Sequence, residues 1–143
     1  MYTAQAYRHY ATTQAQTADR GELVVMLYEG ALKFLSRAVA ALQAGNLEEA
    51  HNSLVRCQDI VAELMGSLNM EAGEIAFNLL RIYEYMHRRL VDANLGKDER
   101  AVREVAGLLR DLLPAWQEAA RRVRTLSLPE REARAGKPCY AAL

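Results

Sequence analysis

Proline does not occur before position 114, glycine is sparse, and no β-branched run alternates with polar residues, so the whole middle of the chain reads as helix with no strand pattern. Cysteine is limited to Cys57, at an apolar helical position, and Cys139, near the C-terminal end. With no C-x-x-C pair, a disulfide framework or zinc site is not expected and both thiols should stay reduced. Charge of one sign is also lacking. Eighteen basic side chains balance eighteen acidic ones, which argues against a nucleic-acid partner that needs phosphate neutralisation and against polybasic attraction to a membrane. No run of eighteen apolar residues could span a bilayer, so no membrane insertion is expected. The N-terminus lacks the charged-then-apolar layout of a secretory signal, and a cytoplasmic location is expected. Nor is there a glycine-rich phosphate loop, a G-x-S-x-G elbow or a plausible Cys and His pair. The reading is therefore of a protein without catalysis or cofactor.

What remains is helix. The 143 residues suffice for one domain that buries about two thirds of the surface its unfolded chain exposes. Asp19 with Glu22 forms a variant capping box for a first helix over about 20–43, ended near Gly45. Asn46 with Glu49 opens a second, reaching about 66, before a turn at Gly66, Ser67 and Asn69. A third is predicted over about 71–95, stopping at Gly96, and a fourth from Asp98 to about 124. Helices of this length on short links give an all-α fold, an antiparallel four-helix bundle. The division is a tyrosine-rich segment over 1–18, the bundle over 19–124 and a disordered tail over 125–143. Pro114 should bend the fourth helix near Leu113 without breaking it, because Val105, Leu108, Leu109, Leu112, Trp116 and Val123 keep their phase across it. The "RRVR" over 121–124 reads as a solvated helix end suited to the macrodipole.

Apolar residues exceed what a bundle needs. A core-facing helix wants a stripe somewhat over about 100° wide. The second helix fits, with Leu47, Ala50, Leu54, Cys57, Ile60, Val61, Leu64 and Leu68 on one face. On the first, Leu23, Leu27, Ala31, Phe34 and Ala38 make a stripe that Val24, Val25, Tyr28, Leu32, Leu35 and Val39 widen to roughly 200°. The third carries a core stripe of Ile75, Leu79, Ile82, Met86 and Leu90, leaving Phe77, Leu80 and Tyr85 to the sides. A broad apolar face implies a groove for an amphipathic helix. Three of the seven tyrosines, Tyr2, Tyr7 and Tyr10, fall in the first ten residues, where they could lie over that groove until a partner displaces them. Val24, Val25, Tyr28, Leu32, Phe77 and Leu80 are the candidate contact residues on the helices. For any one of them, burial in the bundle or a tolerated exposed hydrophobe is the competing assignment. Tyr28, Tyr83 and Trp116 read as core aromatics with their polar ends near the surface. Asn78 and Asn94 are either staples between helices or solvent-facing.

Two Glu-x-x-His spacings, Glu48 with His51 and Glu84 with His87, match the di-iron bundle motif. Both pairs project away from the apolar stripe, and Glu22 and Glu29 lie on the polar side of the first helix. A metal site is not expected.

The segments "YRHY", "TADRGELVVMLYEGALKFLSRA", "RCQDIVAELMGSLNMEAGEIAFNLLRIYEYMHRRLVDAN" and "EVAGLLRDLLPAW" resemble the flagellin export chaperones of the FliS family over about residues 2–120. "MLYEGAL" resembles the family's M-L-Y-D-G-A pattern. The sequence departs from it at Arg20, at Pro114 and in a C-terminal stretch of no family pattern. The resemblance implies a cytoplasmic chaperone, not an enzyme, that binds the disordered C-terminal region of flagellin, keeps it unpolymerised and presents it to the flagellar export gate. It also implies a client wrapped along apolar grooves, with Tyr7 and Tyr10 in an N-terminal segment that occupies part of a groove when the client is absent. The alternative is a non-catalytic regulatory bundle whose extra apolar face makes a homodimer.

Overall fold

The structure is a computed structural model, and it describes residues 20–125. Four helices account for almost all of them: α1 (Arg20–Gln43), α2 (Leu47–Ser67), α3 (Glu74–Gly96) and α4 (Glu99–Arg124), with a 3-10 turn at Met70–Ala72 between α2 and α3. No strand occurs among the described residues. The short links force consecutive helices to run antiparallel, and contacts join α1 to α2, α2 to α3, α3 to α4 and α4 back to α1. α1 and α3 therefore face each other across the core.

Local chemistry sets the boundaries. After α1, Gly45 takes a φ of 72°, its N–H bonds to Leu42 O and the next N–H, of Asn46, reaches Ala41 O. This pairing is a Schellman motif, and glycine enters the left-handed region at little cost. Asn46 Oδ1 accepts from the Glu49 N–H at 3.2 Å and Asp98 Oδ1 from the Arg100 N–H at 2.9 Å, each side chain taking up a donor that a helix start leaves unpaired. Asp19 lies outside the described residues. Two boundaries differ from the prediction. α3 begins at Glu74 rather than near 71, because Asn69 caps the 3-10 turn through the Glu71 N–H at 2.9 Å and Gly73, at φ 81°, breaks the chain direction after it. Its end is made by Lys97, which takes the left-handed conformation at φ 51° after Gly96 has completed the helix.

The core is continuous from end to end. α3 contributes Ala76, Leu79, Tyr83, Met86, Leu90 and Ala93, a strict alternation of three- and four-residue steps. Ile75, expected in that stripe, is 56 % exposed; it belongs to the first turn after Gly73, and Ala76 takes the inward position. Leu47 is likewise exposed at the start of α2. α4 runs uninterrupted through Pro114, and Leu109 before it and Trp116 after it reach the same core.

The wide face of α1 is mostly absorbed. Val24, Tyr28 and Leu35 are buried, while Val25, Leu32 and Val39 are half-buried against the core. Packing between two neighbours, with Ala31 and Ala38 fully buried along its axis, lets α1 cover more of its circumference than a single stripe would require. The aromatic residues gather at the centre of the bundle. Trp116, Tyr28 and Tyr83 are fully buried, and their polar ends meet one another rather than the surface. Each such ring removes on the order of 150–250 Å² from water, about 4–6 kcal/mol of transfer free energy.

Candidate functional site

A concavity of about 620 Å³ runs between α1 and α4. Val25 and Met26 of α1, with Pro114 and Ala120 of α4, supply its apolar surface. Glu22 and Glu29 stand on one rim, and Glu118, Arg121 and Arg124 on the other. Arg124 donates to Glu22 Oε1 at 3.1 Å, joining the end of α4 to the start of α1. Glu118 accepts from both Arg121 and Arg122, at 3.0 Å to each Nε. The Arg121 and then the Arg122 guanidinium hold its carboxyl at about 2, well below the usual carboxylate value. Three arginines close to the last carbonyls of α4 also complement the helix dipole.

A second concavity of about 410 Å³ lies where the start of α1 meets the end of α2 and the turn, between Leu23, Leu68 and Met70. Around the same turn Met70, Ile75 and Phe77 are exposed, the last two by more than half. Exposed apolar side chains are ordinary one at a time, and two residues apart on a helix Ile75 and Phe77 do not share a face.

The candidate contact residues divide between core and surface. Tyr28 is fully buried and Val24 is 6 % exposed, so in the free bundle both serve the core. Val25 and Leu32 are half-buried on α1, with Val25 in the α1–α4 groove. Phe77 is 54 % exposed and Leu80 half-buried on α3, the helix diagonal to α1. The structure does not gather these four side chains into one pocket; a single partner touching all of them would have to pass around the bundle. Tyr7 and Tyr10 lie outside the described residues. Sequence reasoning missed Met26, Pro114 and Ala120, which join Val25 only when α4 closes the ring against α1. Nothing in the phase of either helix alone marks them.

Burial pushes the Cys57 thiol far up, away from the thiolate a nucleophile needs. The Glu-x-x-His spacings do not converge: His51 instead shares a 2.9 Å hydrogen bond with the Asn94 amide, which makes Asn94 a staple between α2 and α3, and Asn78 is exposed. No group of three or more His, Cys, Asp or Glu side chains close enough to hold a metal occurs among the described residues. No helix among them is long and apolar enough to cross a membrane.

A family model described as flagellar protein FliS matches residues 3–123. The chain belongs to the FliS family. It is 37 % identical to the flagellar secretion chaperone FliS of Bacillus subtilis over 113 residues, covering 79 % of this chain and 84 % of that protein. To the flagellar secretion chaperone FliS of Salmonella typhimurium it is 37 % identical over 124 residues, 82 % of this chain and 92 % of the relative. The flagellar secretion chaperone FliSB of Pseudomonas aeruginosa is 33 % identical over 121 residues, covering 81 % and 96 %. The FliS match takes in the whole bundle and the segment that carries Tyr7 and Tyr10, and it stops before the last twenty residues.

Proposed function

We propose that this protein is a flagellar secretion chaperone that acts in the cytoplasm, without catalysis, by binding the disordered C-terminal region of flagellin. In this reading it prevents premature polymerisation and aids delivery to the flagellar type III export apparatus. The observation that carries it is the match of the whole bundle to relatives named as flagellar secretion chaperones. Two features of the surface support it. Val25 and Leu32 leave apolar area half-covered along α1, and Phe77 and Leu80 leave a separate apolar area on α3, on the far side of the bundle. An unfolded, amphipathic client laid along both would bury the face through which it would otherwise self-assemble.

Affinity then has a built-in limit. A client that folds as it binds loses conformational entropy at that moment, which keeps binding moderate for the area covered and allows release without nucleotide hydrolysis. Tyr7 and Tyr10 add a competitor in the same chain, covering part of the client surface until flagellin displaces them. Removing residues 2–15 should tighten client binding and lower the solubility of the free protein; unchanged values for both would remove the tyrosines from the mechanism.

The deciding experiment is calorimetric titration of the purified protein with a peptide spanning the C-terminal region of the host's flagellin. One-to-one binding with a clearly negative heat-capacity change is expected, since apolar surface is buried. No binding, together with a tight dimer in light scattering, would transfer the exposed Ile75 and Phe77 to a homodimer interface and overturn the chaperone reading.

A further inference from the structure

We propose that residues 126–143 of this chain fold back into the groove between α1 and α4 and seat Tyr140 on its apolar surface. The inference is independent of what the client is. It starts from where the segment begins. α4 ends as the Thr125 N–H turns back to the carbonyls of Arg122 and Val123, so the chain leaves the helix axis beside Arg121 and Arg124, which line the groove. The following residues thus emerge at the mouth of the concavity.

Reach is ample. From Pro114 to Arg124 the groove follows eleven residues of α4, a length of about 15 Å at roughly 1.5 Å per step. The fifteen residues after Thr125, up to Tyr140, can extend to roughly 50 Å, and Pro129 and Gly136 supply turn chemistry for the reversal. Composition fits as well. Three carboxylates and two guanidiniums stand around the groove, and residues 126–143 carry the converse, Glu130 and Glu132 against Arg131, Arg134 and Lys137. Tyr140 is the only aromatic residue of the segment. Its ring suits the surface made by Val25, Met26, Pro114 and Ala120, and its hydroxyl suits a rim that includes Gln117 and Glu29.

Tethering makes a weak contact sufficient. A segment attached at the mouth experiences an effective concentration on the order of millimolar, so an intrinsic affinity in that range already fills the groove half the time. The FliS match ends at residue 123, so the segment lies outside the part of the chain that the family model matches. Any partner entering the α1–α4 groove must displace it.

The test is a nitroxide attached to Cys139 of the full-length protein, Cys57 being buried and unreactive, with amide broadening read by NMR. Strong broadening over Val25–Glu29 and Ala115–Ala120, with little on α3, is expected. Tyr140→Ala, outside the bundle and so unable to unfold it, should reduce that broadening severalfold. Broadening confined to residues 121–125, spread equally onto α3 or indifferent to Tyr140→Ala would overturn the proposal. So would broadening that appears only after residues 2–15 are deleted, which would give the groove to the N-terminal segment.

Discussion

Tyr28 on α1 and Tyr83 on α3 hold their hydroxyl oxygens 2.7 Å apart in the centre of the bundle, and Trp116 on α4 donates its indole N–H to the Tyr28 oxygen at 3.1 Å. The rings of Tyr28 and Tyr83 meet edge to face, with centroids 6.4 Å apart at 68°. One small polar knot thus joins three of the four helices, including the diagonal pair α1 and α3. Because Tyr28 serves both neighbours, the two tyrosines are not equivalent.

Tyr28→Phe leaves the Trp116 N–H and the Tyr83 hydroxyl buried without their shared partner, and should cost about 2–3 kcal/mol of stability. Tyr83→Phe keeps the Trp116 bond to Tyr28 and should cost about 1 kcal/mol. Urea denaturation of the two variants checks the asymmetry; equal losses would mean that the indole bond contributes nothing. Burial pushes both phenols above their ordinary value of 10.0. A raised folded-state pKa gives stability that is complete below the unfolded value and lost as pH rises past it. The urea midpoint should therefore fall above about pH 10 in the parent and fall less steeply in Tyr83→Phe.

Pro114 is exposed within α4, and its missing N–H leaves the Arg110 carbonyl without the usual helical donor. Pro114→Ala should stabilise the protein by about 2 kcal/mol, since proline in a helix interior costs about 3 and its rigidity in the unfolded chain returns part of that. A rise in melting temperature of roughly 4–8 °C is expected for a chain of this size. A fall instead would show that ring contacts in the groove outweigh the lost backbone bond.

Much of this architecture was legible because it is local. Asn46 and Asp98 cap the helices they were assigned, since a side chain two or three residues from its target needs no tertiary context. The choice between Ile75 and Ala76 was not legible. Both fit a helical stripe, and only the packing of the bundle end, with Gly73 at positive φ, turns the smaller residue inward. Gly96 and Lys97 differ in the same way: the left-handed position fell to the lysine, whose Nζ is 2.5 Å from Asn94 Oδ1. Tyr28 was assigned both to the core and to partner contact because a 200° arc cannot say which part neighbours will cover. The α1–α4 groove is illegible for a stronger reason, because Val25 and Pro114 are far apart in sequence and become neighbours only when the ring closes.

Glu118 offers a titration free of core packing. Its folded value of about 2 lies below the ordinary 4.5, so its contribution is present above the unfolded value and is lost as pH falls toward 2. NMR titration should show its carboxyl ionising well below the other exposed glutamates. Arg121→Ala combined with Arg122→Ala should bring it back toward the ordinary range, and high salt should do part of the same because the group is exposed. A carboxyl that titrates normally in the parent would mean that these ion pairs do not persist in solution.

The client surface is best tested on one helix, where two exposed apolar residues differ in their surroundings. Phe77 is 54 % exposed in the first turn of α3, whereas Leu95 is 82 % exposed at its other end. Neither side chain supports the core, so Phe77→Glu and Leu95→Glu should both melt like the parent. If flagellin binds along the start of α3, Phe77→Glu should weaken the peptide at least about tenfold, about 1.4 kcal/mol, while Leu95→Glu stays within about twofold. Equal weakening by both would mean that the peptide responds to exposed apolar area in general. No effect from either would remove α3 from the client surface and leave Val25 and Leu32 of α1 to carry it.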